Sequence, residues 1–129
     1  MSYTITKTMK RLTRKEEELM QALWKLERAF VKDLIELLPE PKPHYNTVST
    51  VIRRLESEPY GFVTHEDFGG THRYLPKISK EAYQRQFLGD SMTAYFDNSY
   101  KNMVAFFARE KKITPEELKD ILKAIEKGE

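Results

Sequence analysis

The stretch NTVSTVIRRLESE, residues 46–58, decides the fold of this chain. Its apolar residues recur at the i, i+3, i+4, i+7 spacing of a helix face that packs on a core; they are Val48, Val51, Ile52 and Leu55. The opposite face is small, polar and cationic, and it consists of Asn46, Ser49, Thr50, Arg53 and Ser57, with Thr47 and Arg54 on its flanks. This pattern predicts a helix that enters the major groove of DNA, where short side chains permit close approach and Arg bonds guanine or phosphate.

The start of this helix carries no carboxylate, and we expect Asn46 to cap it. The free amides of the first turn then face a phosphate. An ordinary amphipathic surface helix explains the same pattern, because polar outer faces are the rule for helices packed on a core. The helical wheel alone leaves both interpretations open.

The composition is that of a folded, soluble protein, with 40% apolar and 33% charged residues among 129. We expect one domain, or a small domain plus an oligomerisation segment. No apolar run approaches the roughly 18 residues of a membrane span, and the first residues lack a signal-peptide core, so we expect a cytoplasmic protein without direct membrane insertion. The absence of cysteine excludes disulfides, thiol nucleophiles and thiolate zinc sites.

The net charge of +2 is too small to indicate nucleic-acid binding, but the charge is unevenly distributed. Residues 1–15 contain basic residues and no acidic one; the basic residues are Lys7, Lys10, Arg11, Arg14 and Lys15. Two interpretations stay open: an arm that contacts a phosphate backbone, chiefly through Lys10 and Arg11, or a solvated terminus.

Two predicted helices precede the opening stretch. The T-x-x-E capping box of Thr13 and Glu16 marks the start of the first. Its buried stripe is Leu19, Met20, Leu23 and Trp24. The second is predicted over Val31–Leu38, because three prolines between residues 39 and 43 prevent its continuation. Two helices, a turn and a third, polar-faced helix make a helix-turn-helix.

A predicted β-hairpin follows, with strands over Phe62–Glu66 and Thr71–Leu75 around Gly69-Gly70, which supplies the positive φ of a tight turn. A hairpin directly after the third helix is the wing of a winged helix. The side chains that this wing offers to phosphates are Arg73 and, more weakly, His72 and His65. Some winged helices are protein-interaction modules, and that alternative stays open.

The chain beyond Pro76 predicts three more helices, starting at Ser79, Ser99 and Thr114. At the last of these, Pro115 suits the first turn and Glu117 completes a second capping box with Thr114. They carry more apolar surface than short helices bury among themselves, which favours a homodimer held by residues 79–127 over a larger monomeric core. The predicted dimerisation residues are Phe87, Tyr95, Phe96, Tyr100, Met103, Val104, Phe107, Leu118, Ile121, Leu122 and Ile125. The predicted fold is mainly α: a winged helix-turn-helix DNA-binding domain over residues 1–77 and a helical dimerisation region over residues 78–129.

The order of these segments resembles the BlaI/MecI/CopY family of penicillinase repressors over nearly the whole chain. The matching positions are Leu12-Thr13 with Glu16, Leu23-Trp24, Thr47-Val48 with Thr50, Arg54-Leu55, Gly61, and Arg73-Tyr74 with Pro76. One departure is Glu58-Pro59-Tyr60, which replaces the short basic link expected before the glycine. It leaves the path from the recognition helix to the wing open.

The resemblance implies a homodimeric transcriptional repressor, with a role in antibiotic resistance, that binds double-stranded operator DNA with an inverted repeat. It also implies that a membrane-bound sensor metalloprotease relieves repression by cutting the dimerisation region. The matching bond is Phe106–Phe107, although the family has asparagine where this chain has Phe106. The copper-responsive branch needs paired cysteines near the C-terminus, and this chain has none.

Enzymatic signatures are missing from the sequence, which has no Gly-rich phosphate loop, nucleophile elbow or dinucleotide fingerprint. His65 and His72 flank the hairpin turn and, with Glu66 or Asp67, have the donors of a zinc site, but wing histidines near phosphates are the simpler interpretation. We therefore predict no enzyme, no metal and no cofactor. The competing functions are an operator-binding repressor and a winged-helix module that docks on a protein partner.

Overall fold

Six helices and two strands follow one another along residues 10–128, the part of the chain that the computed structural model describes. They are α1 (Arg14–Leu26), α2 (Val31–Leu37), α3 (Tyr45–Glu56), β1 (Val63–Phe68), β2 (Thr71–Pro76), α4 (Lys80–Phe96), α5 (Tyr100–Arg109) and α6 (Pro115–Lys127). The two strands form one antiparallel sheet. The predicted mainly α fold, a winged helix-turn-helix followed by helices, is confirmed.

The chain divides into two compact units after Phe87, within α4. The first unit contains the helix-turn-helix, the hairpin and the first half of α4. Tyr83 on this half is buried in the same core as α1 and α3, and its hydroxyl accepts a hydrogen bond from the Leu12 amide at 3.3 Å. The domain boundary predicted from the sequence, between residues 77 and 78, stays a prediction.

Helix α1 begins as its sequence predicts. Thr13 is the N-cap: its hydroxyl accepts the Glu16 amide at 3.2 Å, and its own amide donates to Glu16 Oε1 at 2.9 Å. This reciprocal pair satisfies two amide donors that the first turn of a helix otherwise leaves without partners. Trp24 packs against the core at the edge of the buried stripe, and its indole N–H donates to the Ile78 carbonyl at 2.9 Å.

The start of α3 differs from the prediction. The N-cap is His44, and the predicted cap, Asn46, is the second residue inside the helix, so that prediction was wrong. The helix begins as soon as the chain leaves Pro43, because the His44 backbone is extended and its carbonyl already accepts the Val48 amide at 3.1 Å. The Asn46 carbonyl accepts the Thr50 hydroxyl at 2.9 Å.

The hairpin confirms the predicted wing. Its register runs from Val63 opposite Pro76 to Phe68 opposite Thr71. Gly69 and Gly70 both have positive φ, 55° and 88°, which a two-residue turn of type I′ requires and which side chains other than those of Gly, Asn and Asp rarely permit. The hairpin is fixed to the helices by paired backbone hydrogen bonds between Ala29 and Tyr74, at 2.8 and 3.0 Å.

The link between α3 and β1, whose path the sequence left open, folds back tightly on the end of the helix. The Gly61 amide donates to the Ser57 carbonyl at 3.0 Å, and the Phe62 amide donates to the Leu55 carbonyl at 2.8 Å. Gly61 has a φ of +61°, so the reversal uses the conformational freedom of glycine. The turn directs the Tyr60 side chain back toward α1, where its hydroxyl donates to Glu16.

The second unit consists of the second half of α4, α5 and α6. Thr114 caps α6 as predicted, and its capping box with Glu117 is present. Ser99, where the fifth helix was predicted to start, is the N-cap of α5. Neither helix has a buried residue. The large apolar side chains that this unit exposes are Leu88, Tyr95, Tyr100, Phe106, Phe107, Ile121, Leu122 and Ile125.

None of the helices in the described part of the chain combines the length and the apolar character that crossing a membrane requires.

The carboxylate of Glu16 is the buried charge of the core, with 1% of its surface exposed, and no other charged residue among those described is buried. Besides the Thr13 amide, it accepts the Tyr60 hydroxyl at 3.0 Å and the Arg54 guanidinium at 3.0 and 3.1 Å. Burial by itself raises the pKa of Glu16, but the hydrogen bonds from Thr13, Tyr60 and Arg54 outweigh it, so the pKa lies below its usual value. Glu16 therefore joins α1, α3 and the α3–β1 link as an ion.

Replacing Glu16 by Gln removes the charge that Arg54 opposes but keeps an oxygen for the Thr13 amide. We expect the free energy of unfolding to fall by about 1.5 to 3 kcal/mol, the range for hydrogen bonds to charged groups. Urea denaturation at neutral pH measures it. Glu18→Gln is the matched control, because Glu18 forms an i,i+4 pair on the surface with Arg14 at 3.6 Å, and such pairs contribute about 0.3 to 0.5 kcal/mol.

The low pKa of Glu16 gives this prediction a pH signature. The folded carboxyl loses its proton more readily than the unfolded one, so its stabilising contribution is complete above the ordinary value of 4.5 and disappears as the pH falls through the folded pKa. The difference in unfolding free energy between the wild type and Glu16→Gln should therefore shrink below pH 4.5. A difference that stays constant down to the acid transition would contradict an ionised Glu16.

Candidate nucleic-acid interface

A groove of about 330 Å³ lies between the outer face of α3 and the wing. Helix α3 contributes Tyr45, Asn46, Ser49, Thr50 and Arg53, the wing contributes Gly70, Thr71, His72 and Tyr74, and α2 contributes Val31. No lining residue carries a carboxylate. Tyr74, which also lines the groove, is buried. Burial raises the pKa of the Tyr74 phenol, the charge of Glu56 raises it further, and the charge of Arg53 lowers it.

Five of the residues predicted to bind DNA line this groove together; they are Asn46, Ser49, Thr50, Arg53 and His72. Thr47, another residue of α3 predicted to bind DNA, lies on the other side of the helix, where it lines a separate depression with Lys15 and Lys42. Asn46, Thr47 and Thr50 are exposed, and Ser49 is half-buried. The small polar face predicted from the helical wheel is therefore accessible in the folded chain.

Arg53 and Arg54 have different surroundings although they are adjacent. Arg53 is exposed in the groove, and among the described residues it has no ion-pair partner. Arg54 is 45% exposed and directs its guanidinium to the buried Glu16. The predicted contact of Arg54 with DNA stays a prediction, and in the folded chain its charge is engaged by Glu16.

Arg73 is also held by a carboxylate. It stands directly opposite Glu66 in the hairpin and donates to Glu66 Oε1 at 2.7 and 3.1 Å. The hydrogen bond from Arg73 is the main cause that lowers the pKa of Glu66. The guanidinium also lies over the Phe68 ring, 4.5 Å from its centroid. Arg73 thus stabilises the wing by joining its two strands. The predicted contact of Arg73 with a phosphate stays a prediction.

The basic arm before α1 is described only from Lys10 onward, and Lys7 lies outside the described residues. The Lys10 ammonium lies 5.4 Å from the centroid of the Tyr60 ring, and the Arg11 guanidinium lies 4.4 Å from that of Phe87. Both cations rest on aromatic faces, an arrangement with a modest electrostatic attraction. Phe87, predicted as a dimerisation residue, thus contacts Arg11 within the first unit.

Tyr45, Gly70 and Thr71 line the groove but were not identified from the sequence. The signal for Tyr45 was present, because Tyr45, Ser49 and Arg53 follow one another at i, i+4 and i+8 on one helix face. It was missed because the helix was expected to be capped by Asn46, two residues after the observed cap, His44. Gly70 and Thr71 join the groove through the pairing of the wing strands, for which the helical wheel gives no information.

The predicted dimerisation residues of the second unit have two levels of exposure. Tyr95, Tyr100, Phe107, Ile121, Leu122 and Ile125 are exposed, whereas Phe96, Met103, Val104 and Leu118 are half-buried. The candidate cleavage residues, Phe106 and Phe107, lie within α5, and the Phe106 ring packs edge-on against the rings of Phe96 and Phe107. Leu88 is an exposed apolar residue that was not among the predicted set.

The sequence matches a known protein family over most of its length. No curated protein matches the sequence of this chain. The family model described as Penicillinase repressor matches residues 12–127, from the residue before the α1 cap to the last residue of α6. This match extends over both the groove-forming unit and the helices that follow it. The chain therefore belongs to the penicillinase repressor family of DNA-binding transcriptional repressors.

Proposed function

We propose that this protein represses transcription as a homodimer bound to an inverted-repeat operator, with α3 in the major groove and the wing beside it. The observation that carries the proposal is the groove between α3 and the wing, where Arg53 is exposed among small polar side chains without a carboxylate. Membership of the penicillinase repressor family supports the same function.

The chemistry of α3 suits base recognition. Arg53 has the forked donors that bond the O6 and N7 atoms of guanine, and Asn46 has the donor and acceptor that match adenine. His44 makes no side-chain hydrogen bond to the first turn, so amides there are available to a phosphate oxygen. Base contacts select the sequence, whereas phosphate contacts fix the position of the helix.

The second unit supplies a reason for dimerisation. Its helices expose apolar side chains up to 79% for Tyr95 and 68% for Ile125. Large exposed apolar patches mark sites of association. Two copies related by a twofold axis present two recognition helices to half-sites about one helical turn, or a multiple of it, apart. Affinity for the operator then depends on the dimer, so an event that breaks the dimer also releases DNA.

We further propose that cleavage between Phe106 and Phe107 by a membrane-bound sensor metalloprotease is this event. Both residues lie in α5 with their side chains partly exposed. A protease binds an extended peptide, so α5 must open locally before it is cut, and its lack of buried residues makes such opening inexpensive in free energy. The fragment that keeps α3 then lacks α6 and its apolar face.

Replacing Arg53 by Ala should weaken operator binding by about 1 to 3 kcal/mol and relax base preference at one position of each half-site. The operator is first located by footprinting on the DNA upstream of the coding region, and affinities are measured by fluorescence anisotropy. Lys25→Ala is the matched control, because Lys25 is an exposed cation of the same unit and lines a different cleft. Unchanged binding by Arg53→Ala would contradict the assignment of the groove.

The alternative function is that of a winged-helix module that docks on a protein partner. The salt dependence of binding to DNA distinguishes this alternative from a repressor. A repressor binds random duplex weakly, and its affinity falls steeply as salt rises, because each phosphate contact releases counterions. A protein-interaction module shows neither the binding nor the slope. Flat, negligible binding to random duplex at low salt would therefore favour the alternative.

Replacing both Ile121 and Ile125 by Glu should convert the dimer into a monomer and abolish operator binding at concentrations where the wild type binds. The reason is that carboxylates in an apolar interface lose hydration without gaining partners. Sedimentation equilibrium and anisotropy measure the two effects. Lys123→Glu is the control, since Lys123 lies on the opposite face of α6 and should leave both properties unchanged. A monomeric wild type would contradict the proposal.

Incubation with the sensor protease should produce two fragments whose masses define the Phe106–Phe107 bond. Phe106→Asn, which restores the residue that the family has there, should be cut faster than the wild type. Phe107→Asp is the control and should resist cleavage, because the protease then meets a charge where the family has an aromatic ring. An intact mass under conditions in which the operon is nevertheless induced would contradict cleavage as the signal.

A further inference from the structure

Two histidines and an aspartate converge on one face of the wing. They are His65 and Asp67 on β1 and His72 on β2, and their potential ligand atoms all lie within 4.8 Å of one another. The register produces this cluster: residues two apart on a strand share a face, and Asp67 stands directly opposite His72. His72 Nδ1 lies 3.0 Å from Asp67 Oδ1, and His65 Nε2 lies 3.7 Å from the same oxygen.

Glu56, the last residue of α3, holds the ring of His65 from the other side. Its Oε2 atom lies 2.6 Å from His65 Nδ1. A carboxylate that accepts the Nδ1 proton leaves Nε2 with a free lone pair, and that nitrogen is the one directed at Asp67. Histidines that bind metals almost always donate their other ring nitrogen to such a partner, which fixes the tautomer and the orientation of the ring.

We propose that His65, Asp67 and His72 bind a divalent transition-metal ion, best fitted by Zn²⁺, with Glu56 orienting His65. Two imidazoles and one carboxylate suit Zn²⁺, whereas Mg²⁺ and Ca²⁺ require oxygen ligands. Bond lengths of about 2.0 to 2.2 Å in tetrahedral geometry separate neighbouring ligand atoms by about 3.3 to 3.6 Å, and the observed 3.0 and 3.7 Å lie just below and just above that range.

The site has an open position and faces solvent. Asp67 and His72 are exposed, and three protein ligands leave the fourth tetrahedral position of Zn²⁺ to water or to an anionic oxygen. The neighbouring acid, Glu66, is engaged by Arg73 at 2.7 Å and does not belong to the cluster. The chain has no cysteine, and its one remaining histidine, His44, precedes α3, so no thiolate and only one other imidazole of this chain compete for the ion.

The location of the site gives the ion an effect on DNA, and this part of the inference rests on the proposed function. His72 also lines the groove that contains Arg53. Without a metal, the Asp67 carboxylate repels phosphates that approach the wing, whereas a bound divalent ion more than neutralises it and adds positive charge beside the groove. The ion also joins both wing strands and, through Glu56, the end of α3. Zn²⁺ should therefore strengthen operator binding.

The first experiment measures the metal alone. Protein stripped with a chelator is titrated with Zn²⁺ by calorimetry, and Co²⁺ is used as a spectroscopic probe, because tetrahedral Co²⁺ absorbs strongly in the visible range. We expect one ion per chain for the wild type and for the His44→Ala control. His65→Asn, Asp67→Asn and His72→Asn should each lose at least tenfold in affinity, and Glu56→Gln should lose about 10- to 100-fold.

Circular dichroism is used to check that each variant is folded, which separates a loss of metal binding from unfolding. The proposed site would be overturned if the wild type bound no Zn²⁺. It would also be overturned if the His72→Asn variant bound Zn²⁺ as tightly as the wild type. In that case the stacked rings of His65 and His72, 3.9 Å apart, form only a hydrogen-bonded cluster on the surface.

The second experiment repeats the operator-binding measurement with and without saturating Zn²⁺. We expect several-fold tighter binding by the wild type with Zn²⁺ and no response in Asp67→Asn. Zn²⁺ that binds without changing the affinity for DNA would overturn the coupling and support the site alone. If no duplex is bound with or without the ion, the proposed function fails, and the calorimetric result still decides whether the metal site exists.

Discussion

The buried carboxylate of Glu16 is the interaction on which the arrangement of the first unit depends. An ion removed from water is stable only when hydrogen bonds replace its hydration. Here the donors come from the Thr13 amide, the Tyr60 hydroxyl and the Arg54 guanidinium. Each belongs to a different part of the chain, so satisfying this one charge aligns the start of α1, the helix that faces the groove and the link that leads to the wing.

The interaction with Glu16 also gives the adjacent residues Arg53 and Arg54 different surroundings. Successive residues on a helix differ by about 100° in direction, so Arg54 turns inward to Glu16 while Arg53 remains exposed in the groove. A similar division occurs on the wing, where Arg73 is bound by Glu66 and His72 reaches the groove. Arg54 and Arg73 hold the helix and the wing in place, and the polar residues that line the groove between them stay exposed.

The two units differ in how far they bury their apolar side chains. In the first unit they form a buried core that extends from α1 to α4. In the second, α5 and α6 bury none, although their capping residues define well-formed helices. The proposed homodimer accounts for this contrast, because the first unit would then fold on its own core while the second would bury its apolar faces against a partner chain.

The sequence by itself determined the features that depend on neighbours along the chain. The capping boxes at Thr13 and Thr114 and the Gly69-Gly70 turn appear as predicted, because their hydrogen bonds and φ values involve residues at most three apart. Tertiary structure alone decided which side chains meet across long separations, such as Arg54 with Glu16, 38 residues away. Tertiary structure also brought Glu56 to His65. Such partners are selected by the packing of α3 against the wing, and the periodicity of the sequence does not indicate them.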